Sequence, residues 1–300
     1  MKRYPTQQGF SLVEMIMVIV ITGIIGSMVA VFLNAPIQQY MDVSRRADMT
    51  DITDTALRRV GRDLRLALPN SVRVTGVCGG AGTTCFIEFL PTKGGGRYRA
   101  GAAAAGAPVC GGALLGDVFD FTIADTCFEV LTAMPIPAIA VGDQLVVYNL
   151  GIPSADAYSG SAAATDNRRT VTGVGANFLT IASINPLPLA SPSSRFQIVT
   201  TPVTYVCAPA AGGVGGTLTR YWGYAITPVQ PAALGALTAV NPGAVLATNV
   251  SVCNFTYNPA VVAQQRAGLV TMNLGITEAN QSGGSEAVTL YSATHVSNLP

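Results

Sequence analysis

Residues 10–33, "FSLVEMIMVIVITGIIGSMVAVFL", contain one charged side chain, Glu14, in an otherwise apolar run. At about 1.5 Å rise per helical residue the run reaches roughly 36 Å, enough to cross a hydrocarbon core of about 30 Å. The segment is therefore predicted to be a membrane-spanning helix. Lys2 and Arg3 precede it and no acid does. By the positive-inside rule that end stays cytoplasmic and the remainder crosses. A secretory signal peptide would carry a small-residue cleavage site after its apolar run. "GSMVA" ends in small residues but is followed by further apolar sequence. Glu14 is the anomaly, because an acid in a membrane helix costs about 2.5 kcal/mol or more near the bilayer centre and implies a partner.

The arrangement of a short basic leader, Gly9, Phe10, a hydroxyl residue, two apolar residues, Glu14 and a long apolar helix resembles the amino-terminal signal of type IV prepilins and type II secretion pseudopilins. The resemblance implies cleavage between Gly9 and Phe10 by a prepilin peptidase on the cytoplasmic side, followed by N-methylation of Phe10. Residues 1–9 are then a removed leader. Glu14 becomes the fifth residue of the mature chain, where the family's glutamate pairs with the terminal ammonium of a neighbouring subunit. Opposite charges attract strongly at low dielectric, yet a desolvated pair adds little net stability, so such a contact selects register. Many major pilins carry a helix-kinking proline near the position of Val31. Here the first proline after the leader is Pro36, and Gly23 and Gly26 lie upstream of it.

Residues 36–68 read as the amphipathic half of the same long helix, with Met49, Ile52, Ala56, Val60, Leu64 and Leu68 at helical spacing and Pro69 as the stop. Asp42 with Arg46, Asp54 with Arg58 and Arg59 with Asp63 are spaced for i,i+4 pairs on the opposite face. Beyond residue 69 the pattern changes to short β-like runs, among them "SVRVTGV", "FIEFL", "DVFDFTI", "CFEVL", "QLVVYNL", "NFLTIAS", "RFQIVTTPVTYV", "TLTRYWGYAI", "LVTMNLGIT" and "EAVTLYSATHV". Separators such as "GGAG", "KGGG" and "QSGG" mark turns. "GGGRYRAGAAAAGAPVCGG" and "GIPSADAYSGSAAATDNRR" read as surface loops. The expected fold is α+β: a long amino-terminal helix, residues 10–35 and 36–68, packed on a mainly antiparallel β head, residues 69–300.

Cys78, Cys85, Cys110, Cys127, Cys207 and Cys253 form no CxxC pair, and the single His295 cannot complete a zinc set. Disulfides are the better reading and place the head in an oxidising compartment. Sequential pairing is the default, since connectivity cannot be deduced from sequence. Only 11% of residues are charged, with a formal net charge of +1. Nucleic acid, which calls for a broad basic surface, is not an expected partner.

No P-loop, HExxH or dinucleotide fingerprint occurs, and His295 sits in a terminal strand-like run, so no enzyme chemistry is expected. No cofactor is expected either. Asp117, Asp120 and Asp125 would suit calcium, but their spacing matches no recognised loop.

Within the family, "PIQQYMDVSRRADMTDITDTALRRVGRDLRLALPNSVRV" and "VTLYSATHVSNLP" resemble minor pilins of mannose-sensitive haemagglutinin pili. That likeness implies a structural subunit that primes pilus assembly or sits in the tip complex. Its partners would be prepilin peptidase, other minor and major pilins, the inner-membrane assembly platform and, before assembly, inner-membrane lipid. The chain would be a single-pass inner-membrane protein with a periplasmic head, and part of a surface pilus afterwards. A minor pseudopilin of a type II secretion system and a tip adhesin that binds a surface ligand through its head are the alternatives.

Overall fold

The computed structural model describes residues 9–101, 110, 117–135, 137–257, 267–280 and 283–300. Lys2, Arg3 and most of the glycine/alanine stretch 102–116 lie outside the described residues. The chain divides into two compact units, residues 1–48 and 49–300. One helix, α1 (Leu12–Leu64), contributes to both, with Pro36 inside it. The membrane-spanning and amphipathic halves expected of the long helix run on as one element. Pro36 removes one helical N–H and crowds the preceding turn, but the helix continues through it.

In the second unit α1 buries Met49, Thr53, Ala56, Leu57, Val60, Gly61 and Leu64. The expected stripe named Ile52, which is exposed; Thr53 takes the inward place, its hydroxyl donating to the Met49 carbonyl at 2.6 Å. At Gly61 a Cβ would lie 2.8 Å from Thr294 Oγ1, so the absence of a side chain lets the helix approach the sheet. The helix ends before Pro69, because the chain peels away to pair with the sheet. Leu68 N–H donates to the Leu90 carbonyl and Thr92 N–H to the Leu66 carbonyl, both at 2.7 Å.

Among the described residues fourteen strands follow: β1 (Arg73–Gly76), β2 (Cys85–Phe89), β3 (Thr92–Arg97), β4 (Cys127–Glu129), β5 (Gln144–Val146), β6 (Arg168–Val174), β7 (Phe178–Ile181), β8 (Arg195–Val199), β9 (Val203–Ala208), β10 (Thr217–Trp222), β11 (Ala244–Thr248), β12 (Val250–Thr256), β13 (Ala267–Ala279) and β14 (Ser285–Ser297). They form sheets of order β1-β2-β9-β10-β11, β12-β13-β14 and β3-β8-β5-β6-β7-β4, with antiparallel pairing throughout. The fold is α+β, a long amino-terminal helix followed by a mainly antiparallel β head.

β2 and β9 are hydrogen-bonded neighbours, yet residues 92–199 lie between them in sequence. That excursion is a domain-like insertion whose six strands close on themselves. Tyr98 bridges Val130, Leu131 N–H donates to the Arg97 carbonyl (2.8 Å) and Arg99 N–H to the Glu129 carbonyl (3.1 Å). These bonds join the end of β3 to the end of β4 and close the six strands into a small barrel at that corner. Its core stacks Phe119 on Phe128 and sets Tyr98 edge-on to Phe119. The helix and the other two sheets share a separate core that includes Met49, Val60, Leu64, Phe89, Tyr205, Met272 and Leu274. Leu68, Leu90, Val146, Ala157, Tyr158 and Val199 pack where the barrel meets this platform.

The sequence-based reading fails at three segments. "DVFDFTI" is a turn, because Asp120 Oδ1 accepts from Thr122 N–H (2.7 Å) and Asp125 accepts from the backbone N–H groups of Asp120 (2.8 Å) and Cys127 (3.1 Å). Such local side-chain bonds compete with a strand ladder. Conversely, "TKGGGR" and "RRTVTGV", assigned in part to turns and loops, are β3 and β6.

The described disulfides join Cys78 to Cys85, Cys110 to Cys127 and Cys207 to Cys253. The last ties β9 of one platform sheet to β12 of the other. On α1, Asp42 pairs with Arg45 (3.3 Å) and Asp54 with Arg58 (2.6 Å). Asp63 Oδ2, expected to meet Arg59, instead accepts from Arg220 Nε (2.8 Å) and the Tyr205 hydroxyl (2.7 Å), which pins the helix to the sheet.

Glu88 is fully buried in β2, with Arg73 Nε 3.0 Å from its Oε2 and the Arg73 guanidinium carbon 3.6 Å from the centre of the Tyr158 ring. Burial pushes the Glu88 carboxyl above its ordinary range of about 4.5, and Arg73 only partly pulls it back. The folded state therefore holds the proton at pH values where the unfolded chain has released it. Its contribution is fully present below the unfolded value and is lost as pH rises through the folded one. Denaturant unfolding from pH 4.5 upward is expected to show a falling contribution that Glu88→Gln flattens. Parallel parent and variant curves would contradict this assignment.

Candidate functional site

The amino-terminal site is built by the first turn of α1. Ser11 precedes the helix; its carbonyl accepts from Met15 N–H and its Oγ from Glu14 N–H, both at 3.2 Å. Ser11 is thus the N-cap and Glu14 the third helical residue, the S-x-x-E pattern of a capping box. The spacing is legible in "SLVE", although the sequence reading gave Ser11 no role. A carboxylate in the first turn also meets the positive end of the helix dipole. The fold thereby fixes where the acid stands relative to Phe10, one turn upstream.

Every residue from Gly9 to Leu33 is exposed within the chain. Phe10 is 85% exposed and Phe32 79%, and the apolar side chains surround the helix rather than forming a stripe. A helix apolar all round calls for burial in lipid or against other subunits. Among the described residues α1 is the one helix long and apolar enough to cross a membrane. Its internal hydroxyls are satisfied locally: Thr22 Oγ1 donates to the Val18 carbonyl (2.6 Å) and Ser27 Oγ to the Ile24 carbonyl (2.8 Å). These groups therefore do not carry the penalty of unbonded polar atoms in hydrocarbon. Glu14 remains as the only ionisable side chain between Phe10 and Leu33.

Residues 5–30 match the family model described as the prokaryotic N-terminal methylation motif. No curated protein and no solved structure matches the chain. The motif supports a type IV pilin-like or pseudopilin protein, a structural subunit rather than an enzyme. It implies processing by prepilin peptidase and assembly with other pilins, and with the apolar helix it fits membrane anchoring and a pilus.

The structure brings Gly9, Phe10 and Glu14 together at the start of α1 and places the cysteines in the head. Around Asp117 the donor atoms of Cys110, Asp117 and Cys127 lie within 4.8 Å of one another, but both sulphurs belong to one disulfide. Asp120 and Asp125 are occupied in capping their own turn. Burial, then the nearby Asp125 charge, raises the Asp117 carboxyl above its usual range. His295 is exposed on β14, opposite Leu269.

Proposed function

We propose that this chain is a minor pilin of a type IV pilus, a structural subunit that primes assembly or sits in the tip complex. The observation that carries the reading is the methylation motif coinciding with the capped, all-round apolar first part of α1, up to Leu33, whose single acid is Glu14. Prepilin peptidase cleaves between Gly9 and Phe10, the new amino group of Phe10 is methylated, and the helix waits in the inner membrane with the head in the periplasm. Docking then sets Glu14 against the terminal ammonium of a neighbouring pilin. The likeness of residues 36–74 and of the carboxyl-terminal strand to the O protein of mannose-sensitive haemagglutinin pilus biogenesis supports a minor rather than a shaft-forming role. A barrel inserted between β2 and β9 supports it further, as this bulk serves a capping subunit better than a repeating shaft.

Mass spectrometry of the chain isolated from assembled appendages tests the processing step. The expected amino terminus is N-methylated Phe10, and an intact leader would refute it. Co-purification with pilus subunits is expected; recovery with secretion-system subunits would assign the chain to the pseudopilins instead.

A further inference from the structure

We propose that the outer face of the barrel at β3 and β8 is a binding site for an acidic saccharide, with Arg97 and Arg195 receiving its carboxylate. The antiparallel register sets these two arginines directly opposite each other, and both are exposed. Like charges at opposed positions destabilise a sheet unless something neutralises them. The neighbouring cations have acids of their own: Lys93 pairs with Asp143 and Arg99 with Glu129. Among the described residues Arg97 and Arg195 form no ion pair.

Arg97 and Arg195 line a recess of about 360 Å³ together with Gly95, Gly96, Thr132 and Gln197. A Cβ on Gly95 would stand 2.6 Å from the Phe196 carbonyl oxygen, and one on Gly96 would stand 2.7 Å from Thr132 Oγ1, so the strand runs bare against its neighbours. Gln197, on the same face of β8 as Arg195, contributes a buried Oε1 that has no hydrogen-bond partner among the described residues. Thr132 Oγ1 accepts from Arg97 N–H at 3.3 Å, which leaves its own proton for a ligand.

Two cations, one hydroxyl donor and one unsatisfied acceptor define the ligand. The arginines call for an anion, and their planar forks suit a carboxylate. Gln197 Oε1 calls for a hydroxyl donor beside that anion, which a sulfate or a phosphate monoester dianion does not carry on its anionic group. A uronic acid supplies both groups on one ring, and the recess lies at the small end of the range for ligand pockets. This site does not depend on the assembly reading, because its occupancy is measured on the purified chain outside any filament.

The test is calorimetric titration of the full chain in neutral detergent with trigalacturonate, maltotriose, inorganic phosphate and an acidic peptide. Saturable binding of trigalacturonate alone is expected, weakened about tenfold or more by Arg97→Ala and by Arg195→Ala. Gln197→Ala weakens it to a smaller degree, and Arg58→Ala on α1 leaves it unchanged. Absence of binding, equal binding of maltotriose, phosphate or peptide, or unchanged affinity in both arginine variants would each overturn the proposal. The melting temperature of Arg195→Ala should equal or exceed the parent's, since the substitution relieves a like-charge opposition. A lower one would mean that the pair serves the fold, which also overturns it.

Discussion

Arg169→Met is expected to cost the barrel about 3–5 kcal/mol, because it removes the donor from several main-chain carbonyls at once, at about 1–3 kcal/mol for each one left unbonded before relaxation. The Arg169 side chain is fully buried at the second position of β6, and no carboxylate forms an ion pair with it among the described residues. Its partners are main-chain oxygens and, through Nε, the Ser183 hydroxyl at 3.4 Å. Nη1 donates to the carbonyls of Asp166 and Arg168, both at 2.8 Å. Nη2 donates to those of Ala163 (3.2 Å), Asn185 (3.0 Å) and Pro186 (3.1 Å). The guanidinium thus gathers the loop before β6 and the loop after β7 around one cation. Methionine keeps much of the volume and donates to none of those carbonyls. The Ala163 carbonyl keeps the Asp166 N–H (3.0 Å) and the Asn185 carbonyl keeps the Ser183 hydroxyl (2.8 Å), so the loss falls on the carbonyls of Asp166, Arg168 and Pro186, at about 1–3 kcal/mol for each one left unbonded in the interior. The penalties do not add fully, because water reaches the loops as they loosen. Arg169→Lys should recover only part of the loss, since an ammonium has three donors and no planar fork. Denaturant unfolding measures the change, and limited proteolysis should cut within residues 160–186 first. A loss below about 1 kcal/mol, within the ordinary range of surface substitutions and single bonds, would show that the hub is dispensable.

Hubs of this kind are not legible in a sequence. "TDNRR" offers two adjacent arginines after a Gly/Ala/Ser-rich stretch, and local rules assign that pattern to a solvated loop. Acceptors contributed by residues 163–186 turn it into an interior strand. β3 is hidden for a related reason. Glycine is depleted in strands, so "KGGG" reads as a turn, whereas the close approach of Pro135, Thr132 and Phe196 leaves no room for larger residues at Gly94 and Gly96. Barrel closure depends on Tyr98 meeting Val130 across the chain, which no local pattern encodes. What sequence does reveal is contiguous or periodic. β13 alternates buried Val270, Met272, Leu274 and Ile276 along one face, and that period is visible in "LVTMNLGIT". The amino-terminal site is plain because all its parts, from Gly9 to Glu14, fall within one helical turn and its cap. By contrast, Arg97 and Arg195 become neighbours only through the register of β3 on β8.

Glu14→Ala is expected to leave the chain in the membrane and nearly abolish its entry into filaments. On its own the acid is a liability there: the helix from Phe10 to Leu33 has no other ionisable group, and one acid costs about 2.5 kcal/mol or more near the bilayer centre. Alanine removes that cost, so insertion and the membrane-bound amount should stay normal or rise. Loss of the acid from the first turn subtracts only about 0.3–1 kcal/mol of helix-dipole interaction, and Ser11 still caps the helix. Assembly follows the opposite sign. A neighbouring chain's ammonium, once docked in an apolar surround, would face no counter-charge, and breaking a buried pair from one side costs about 3–5 kcal/mol. Converted to an equilibrium, this lowers occupancy of the docked state by a factor of roughly 150 to 4,500. Glu14→Asp keeps the charge but shortens its reach, so it should fall between parent and alanine. The measurement is the ratio of chain in sheared filaments to chain in membranes, compared across the three proteins with leader cleavage monitored in each. Normal filament entry by the alanine form, with cleavage intact, would remove the charge contact from the mechanism and leave shape and hydrophobic burial to set the register.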